Sequence, residues 1–167
     1  MRMGVIFLLK EKLFWGSIIG FFFVCILGTV NHFLYELSGN NALVGIFTPV
    51  SESVWEHLKL LFFPFLIFTI GEFIVYGKHI CGFWLSRFIG ALSGMALISL
   101  LFYIYSGIVG KNILAIDILI FFISVFVSYL ISYFLMEKDY ECKKWENIIG
   151  IGLFLMFVIL FAVLTFI

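Results

Sequence analysis

An all-α, polytopic membrane bundle of five transmembrane helices is the fold class the sequence predicts, on three observations. Of 167 residues, 64% are hydrophobic and 12% charged, against roughly 45–50% and about 25% in soluble domains. A chain of this length has too little interior to hide so much apolar surface. The apolar residues also fall into five runs, each near the roughly 20 residues needed to cross a hydrocarbon core of about 30 Å. Net charge is zero, ten basic against ten acidic side chains. The composition therefore excludes disorder, a basic nucleic-acid-binding surface and a sizeable domain outside the membrane. A single membrane domain, residues 1–167, is expected.

The first span is placed at 13–35. Its apolar run exceeds the 7–15 residues of a signal-peptide core and no small-residue cleavage site follows, so it reads as a signal anchor. Gly16-x-x-x-Gly20 gives it a close-packing face. A long connection follows. Within it, residues 42–50 are too short to cross and are expected as an interfacial loop or a shallow re-entrant turn. The second span is 58–76, and its helix has two competing start signals. Thr48-Pro49 offers a cap followed by a first-turn proline, whereas Ser53-x-x-Glu56 is a capping box. A helix from 48 to 76 would exceed about 40 Å, so either its first turns lie at headgroup level or Pro64 kinks it.

A six-residue connection leads to the third span, 83–106, where Ser86, Gly90 and Gly94 form a second small-residue face. The fourth span, 113–136, carries Asp117, Ser124, Ser128 and Ser132 on one stripe at about 100° per residue. A charged loop, 137–147, precedes the fifth span at 148–167. Glu72 and Arg87 lie about one turn inside the facing ends of the second and third spans. An ion pair between them is the simplest relief for charges that cost about 2.5–3.5 kcal/mol each at the bilayer centre.

Orientation follows from the basic residues. Arg2, Lys10, Lys12, Lys78, Arg87, Lys138, Lys143 and Lys144 fall on one side, and only Lys59 and Lys111 on the other. The N-terminus is thus expected in the cytoplasm and the C-terminus outside. Cys81 and Cys142 are then expected as free thiols in a reducing compartment. His79 stands near Cys81, but no CxxC pair accompanies them, so zinc-finger spacing is missing.

Polar chemistry concentrates between Asn31 and Lys59. His32 and Glu36 share a helical face at i, i+4, Ser38-Gly39-Asn40-Asn41 is a turn by composition, and Glu52, Glu56 and His57 follow. On a helix, Glu52, Glu56 and Lys59 would project from one face with His57 about 100° away, and Asp117 would approach from the fourth span. The candidate ligand-binding set is therefore His32, Glu36, Glu52, Glu56, His57 and Asp117. These residue types suit metal ligation and proton relay.

The run Asn31-His32-Phe33-Leu34-Tyr35-Glu36, followed by Pro49-Val50-Ser51-Glu52-Ser53-Val54-Trp55-Glu56-His57-Leu58-Lys59-Leu60, resembles a family of small multi-pass bacterial membrane proteins of unknown function with an ESVWEHLK-type signature. Ser51 stands where much of that family carries Asn. The resemblance implies a bacterial cytoplasmic-membrane protein and supplies no activity.

Three functional readings stay open at this stage. An outward-facing His/Glu site suits a cation, a lipid headgroup or a small polar solute. Two histidines with carboxylates also suit a metal-dependent hydrolase with glutamate as general base, although neither HExxH nor GxSxG is present. A structural or assembly subunit is the third, since acids at a helix start complement its dipole without any ligand. Membrane lipid is the expected partner, with a homo-oligomer or a second membrane protein beside it, and no cofactor is identified.

Overall fold

The computed structural model describes residues 2–137 and 144–166. They form six helices: α1 (Arg2–Leu37), α2 (Ala42–Phe47), α3 (Val54–Val75), α4 (Phe83–Val109), α5 (Leu114–Glu137) and α6 (Lys144–Leu164), with one 3-10 turn at Gly77–His79. All but α2 are long and apolar enough to cross a membrane. No strand occurs among the described residues.

Several boundaries differ from those expected. The apolar run of α1 lies inside a 36-residue helix, because the basic residues before it are also good helix formers. Residues 42–50 are neither loop nor re-entrant turn throughout; 42–47 are a short helix, capped by the Asn41 side chain, which accepts the Leu43 N–H at 2.9 Å. Before it the chain reverses through Gly39 and Asn40, both at positive φ, where glycine and asparagine are tolerated best. At α3 the Ser53 start prevails over Thr48-Pro49: Ser53 Oγ accepts the Glu56 N–H at 3.2 Å, while the Glu56 side chain turns to the Val50 N–H instead of closing the box on Ser53. The helix therefore starts at Val54 and is shorter than the 48–76 alternative. In the charged loop, α6 already begins at Lys144, while Lys138 and Lys143 lie outside the described residues.

Pro64 lies within α3 without ending it. Its ring nitrogen has no proton for the Leu60 carbonyl. That carbonyl faces α1 at Gly28, where a Cβ would lie 2.6 Å from the oxygen. The lost backbone bond and the glycine opposite it thus occupy one place.

Helix α3 is the most buried of the five long helices and packs against α1 and α4, with α5 and α6 reaching it through aromatic side chains. Phe62 of α3 meets Phe154, Phe157 and Phe161 of α6 at centroid separations of 5.2–5.8 Å, and Phe65 stacks at 4.7 Å on Tyr129 of α5. Helices α4 and α5 meet along the small-residue stripes read in the sequence. Ser124, Ser128 and Ser132 are fully buried, and a Cβ at Gly94 would lie 2.8 Å from the Ser124 carbonyl. In a membrane, where lipid gives helices little hydrophobic reason to associate, such close approach would hold the pair. Gly94→Leu is expected to force α4 from α5 and cost about 1–3 kcal/mol or more, read as a lower unfolding midpoint in detergent. An unchanged midpoint would mean that this seam contributes nothing.

Helix α6 is fastened at both ends. Asn147 Oδ1 accepts the Trp84 N–H at 3.0 Å, capping α4 from another helix, because Gly82 at its start has no side chain to do so. At the opposite end Thr165 reaches Lys59. Outward faces carry Ile19, Phe22, Ile26, Leu155 and Ile159, all exposed, as expected of a lipid-facing belt. Cys25 is a buried free thiol. Cys81 is disulfide-bonded, which corrects the expectation of a free thiol there; Cys142 lies outside the described residues.

Candidate functional site

Where α1 ends and α3 begins, two histidines face each other. His32 is about one turn before the end of α1, and His57 belongs to the first turn of α3. Their Nε2 atoms are 3.3 Å apart. On its other side the His57 ring donates from Nδ1 to the Ser53 carbonyl at 2.9 Å. A carbonyl can only accept, so Nδ1 carries the proton and, in the neutral ring, Nε2 keeps its lone pair. Glu52, in the loop before α3, places Oε2 3.4 Å from the same Nε2.

One ligand atom each from His32, Glu52 and His57 lies within 4.8 Å of the others. Two nitrogens on a tetrahedral zinc at about 2.0–2.1 Å stand about 3.3–3.4 Å from one another. The His32–His57 and His57–Glu52 separations both match that edge. The Glu52 carboxylate is 86% exposed and can swing, whereas the rings are half-buried. The Ser53 carbonyl is the kind of outer partner that orients a ligating imidazole.

The other sequence candidates go elsewhere. Glu36 is exposed one turn beyond His32 and does not join the trio. Asp117 accepts the Tyr105 hydroxyl of α4, and that same oxygen receives the Ile113 N–H at 3.3 Å, fixing the start of α5. Glu56 turns inward: its Oε2 accepts the Val50 N–H at 2.9 Å and the Lys59 ammonium at 2.8 Å. The shared face expected for Glu52, Glu56 and Lys59 does not form, because α3 begins after Glu52. Glu72 and Arg87 pair at the far end of the bundle, 2.6 Å apart and buried.

Lys59, at the end of the bundle opposite Glu72, has no exposed surface. Its ammonium donates to the Gly45 carbonyl at 2.8 Å, the Thr48 carbonyl at 3.3 Å, Glu56 and Thr165 Oγ1 at 2.5 Å. This clasp ties α2, the loop carrying Glu52, the start of α3 and the end of α6 together. Asn31 adds a bond from Nδ2 to the Phe47 carbonyl at 3.0 Å. The only sequence signal for Thr165 is a hydroxyl in an otherwise apolar terminal run.

A family model described as a family of unknown function, DUF6512, matches residues 6–167. The chain belongs to DUF6512. Membership spans nearly all of the described helices, so the His32–Glu52–His57 corner and the Lys59 clasp are parts of a DUF6512 domain. No curated protein and no solved structure matches the chain.

Proposed function

We propose that this DUF6512 protein is a five-span membrane protein that binds one divalent transition-metal ion of the zinc class through His32 Nε2, His57 Nε2 and the Glu52 carboxylate. The observation that carries the reading is the pair of tetrahedral-edge separations, 3.3 and 3.4 Å, around a His57 nitrogen whose lone pair is set free by the Nδ1 bond. Two imidazole nitrogens favour zinc, copper or nickel over the oxygen-seeking magnesium and calcium. Three protein ligands leave a fourth position for water, a lipid headgroup or another small polar molecule.

The basic residues orient the protein. With Arg2, Lys10, Lys12, Lys78 and Arg87 at the end of the bundle that holds Glu72, the positive-inside rule favours that end in the cytoplasm and the His site outside, while the Cys81 disulfide at the same end weighs the other way, since a reducing compartment disfavours it. The resemblance of the Asn31–Glu36 and Pro49–Leu60 runs to bacterial membrane proteins is what makes that bilayer a bacterial cytoplasmic membrane in this proposal, with lipid as partner. Glu36 and Asp117 are not ligands in this reading, and Glu56 holds the loop from which Glu52 extends.

Metal analysis of the detergent-purified chain tests the proposal. About one zinc per chain is expected, falling several-fold in His32→Ala and in His57→Ala while Glu36→Ala keeps it. Substoichiometric metal that ignores both histidine changes would overturn it.

A further inference from the structure

At the opposite end of the bundle, four helices enclose a second polar centre, and its bonding is incomplete. Arg87 of α4 has no exposed surface. It donates from Nη2 to Glu72 Oε1 at 2.6 Å and from Nη1 to Ser132 Oγ at 2.8 Å, and its guanidinium lies 5.0 Å from the centroid of the Tyr129 ring. Tyr76 donates its hydroxyl to the same Glu72 oxygen. Helix α1 closes the centre with Gly20, where a Cβ would meet the Tyr129 hydroxyl at 2.5 Å.

Glu72 Oε2, Arg87 Nε, the Tyr129 hydroxyl and Thr69 Oγ1 are all buried and have no hydrogen-bond partner among the described residues. Thr69 precedes Glu72 by three residues on α3, which places both on one face. Each residue is more than nine-tenths buried. Orphaned polar atoms are costly anywhere, and more so where the surrounding lipid offers nothing to bond. Eight such side-chain atoms occur among the described residues, and four belong to this group, so the deficit is local.

The missing partner has a definable chemistry. It must accept from the Arg87 Nε–H and donate to the Glu72 carboxylate, while the two hydroxyls take either role. A metal ion would face the guanidinium, and an anion would face Glu72. A small neutral molecule that donates twice and accepts twice meets all four, and internal waters make two to four such bonds. We propose that Glu72, Arg87, Tyr129 and Thr69 form a binding site for an internal water molecule within the membrane. The ion pair is thus the rim of a hydrated site, and Tyr76, at the end of α3, lies between it and the aqueous face.

The chain has two arginines, Arg2 and Arg87, which makes the test direct. In solid-state NMR of the full protein in phospholipid bilayers with 15N-labelled arginine, Arg2→Lys identifies the Arg87 Nε–H signal. Magnetisation transfer from water to that proton is expected, and it should survive a gadolinium chelate that quenches bulk water. In folded Thr69→Val/Tyr129→Phe protein the transfer should drop several-fold. No transfer in the unaltered site, transfer abolished by the chelate, or transfer undiminished in the double variant would each overturn the proposal. The first two outcomes are read on protein with the site intact, so the inference does not depend on the double variant folding.

Discussion

Lys59→Met is expected to destabilise the protein by about 3–5 kcal/mol, the usual result of removing one partner from a buried ion pair. The methionine keeps the length and apolar stem of the lysine, so the loss isolates the ammonium. Glu56 would then keep only the Val50 N–H and the weaker Thr165 contact for a carboxylate sealed from water. Lys59→Met/Glu56→Gln should recover most of the loss, because the uncompensated charge disappears with its partner. Thermal unfolding in one detergent, followed by tryptophan fluorescence, compares the three proteins. The effect should also extend to the metal site. Glu56 closes residues 50–56 into a loop, and Glu52 projects from it, so Lys59→Met should weaken zinc binding about tenfold or more, as loss of an outer-shell support typically does. A single variant as stable as the parent would dismiss the clasp. A destabilised variant with undiminished zinc affinity would separate the clasp from the site.

Arg87→Met should have a comparable effect at the other end, about 3–5 kcal/mol for the stranded Glu72 carboxylate. Arg87→Lys is expected to fall between, because an ammonium is not a planar fork that serves Glu72 and Ser132 from two nitrogens. Glu72→Gln/Arg87→Met should regain stability relative to Arg87→Met, while still leaving Tyr76 with an amide oxygen to donate to. The measurement is the fraction remaining monodisperse after heating. If the double variant loses as much as Arg87→Met alone, the two side chains do not form one energetic unit.

The parts legible in the sequence were those encoded by period and depth. Hydropathy located all five long helices, since about 20 apolar residues have few other uses. The Gly90/Gly94 and Ser124/Ser128/Ser132 stripes pointed to a tight seam because helical spacing puts each set on one face. The short connection between Glu72 and Arg87 brought them to one depth. The sequence was ambiguous where two local signals competed. Thr48-Pro49 and Ser53-x-x-Glu56 are both valid starts, and the choice decides whether Glu52 is on a helix with Glu56 or in a loop facing His57. A six-residue helix such as α2 is too short to show a period. Lys59 and Thr165 are 106 positions apart, and no local rule relates them. The candidate residues thus divided by tertiary contact: three stayed together, Glu56 became a loop anchor, and Glu36 and Asp117 went elsewhere.

The two fastenings of α6 also have a consequence in time. A ribosome delivers α3 long before α6, so the newly inserted protein has Glu56 and Lys59 in place without the Thr165 hydroxyl, and α4 without the side chain of Asn147. Until α6 arrives, one end of the bundle has a charged pair without its Thr165 contact and the other a helix start lacking its cap. Membrane quality-control machinery that recognises exposed polar groups would therefore have a target in the unfinished chain. Docking of α6 supplies both contacts in one step.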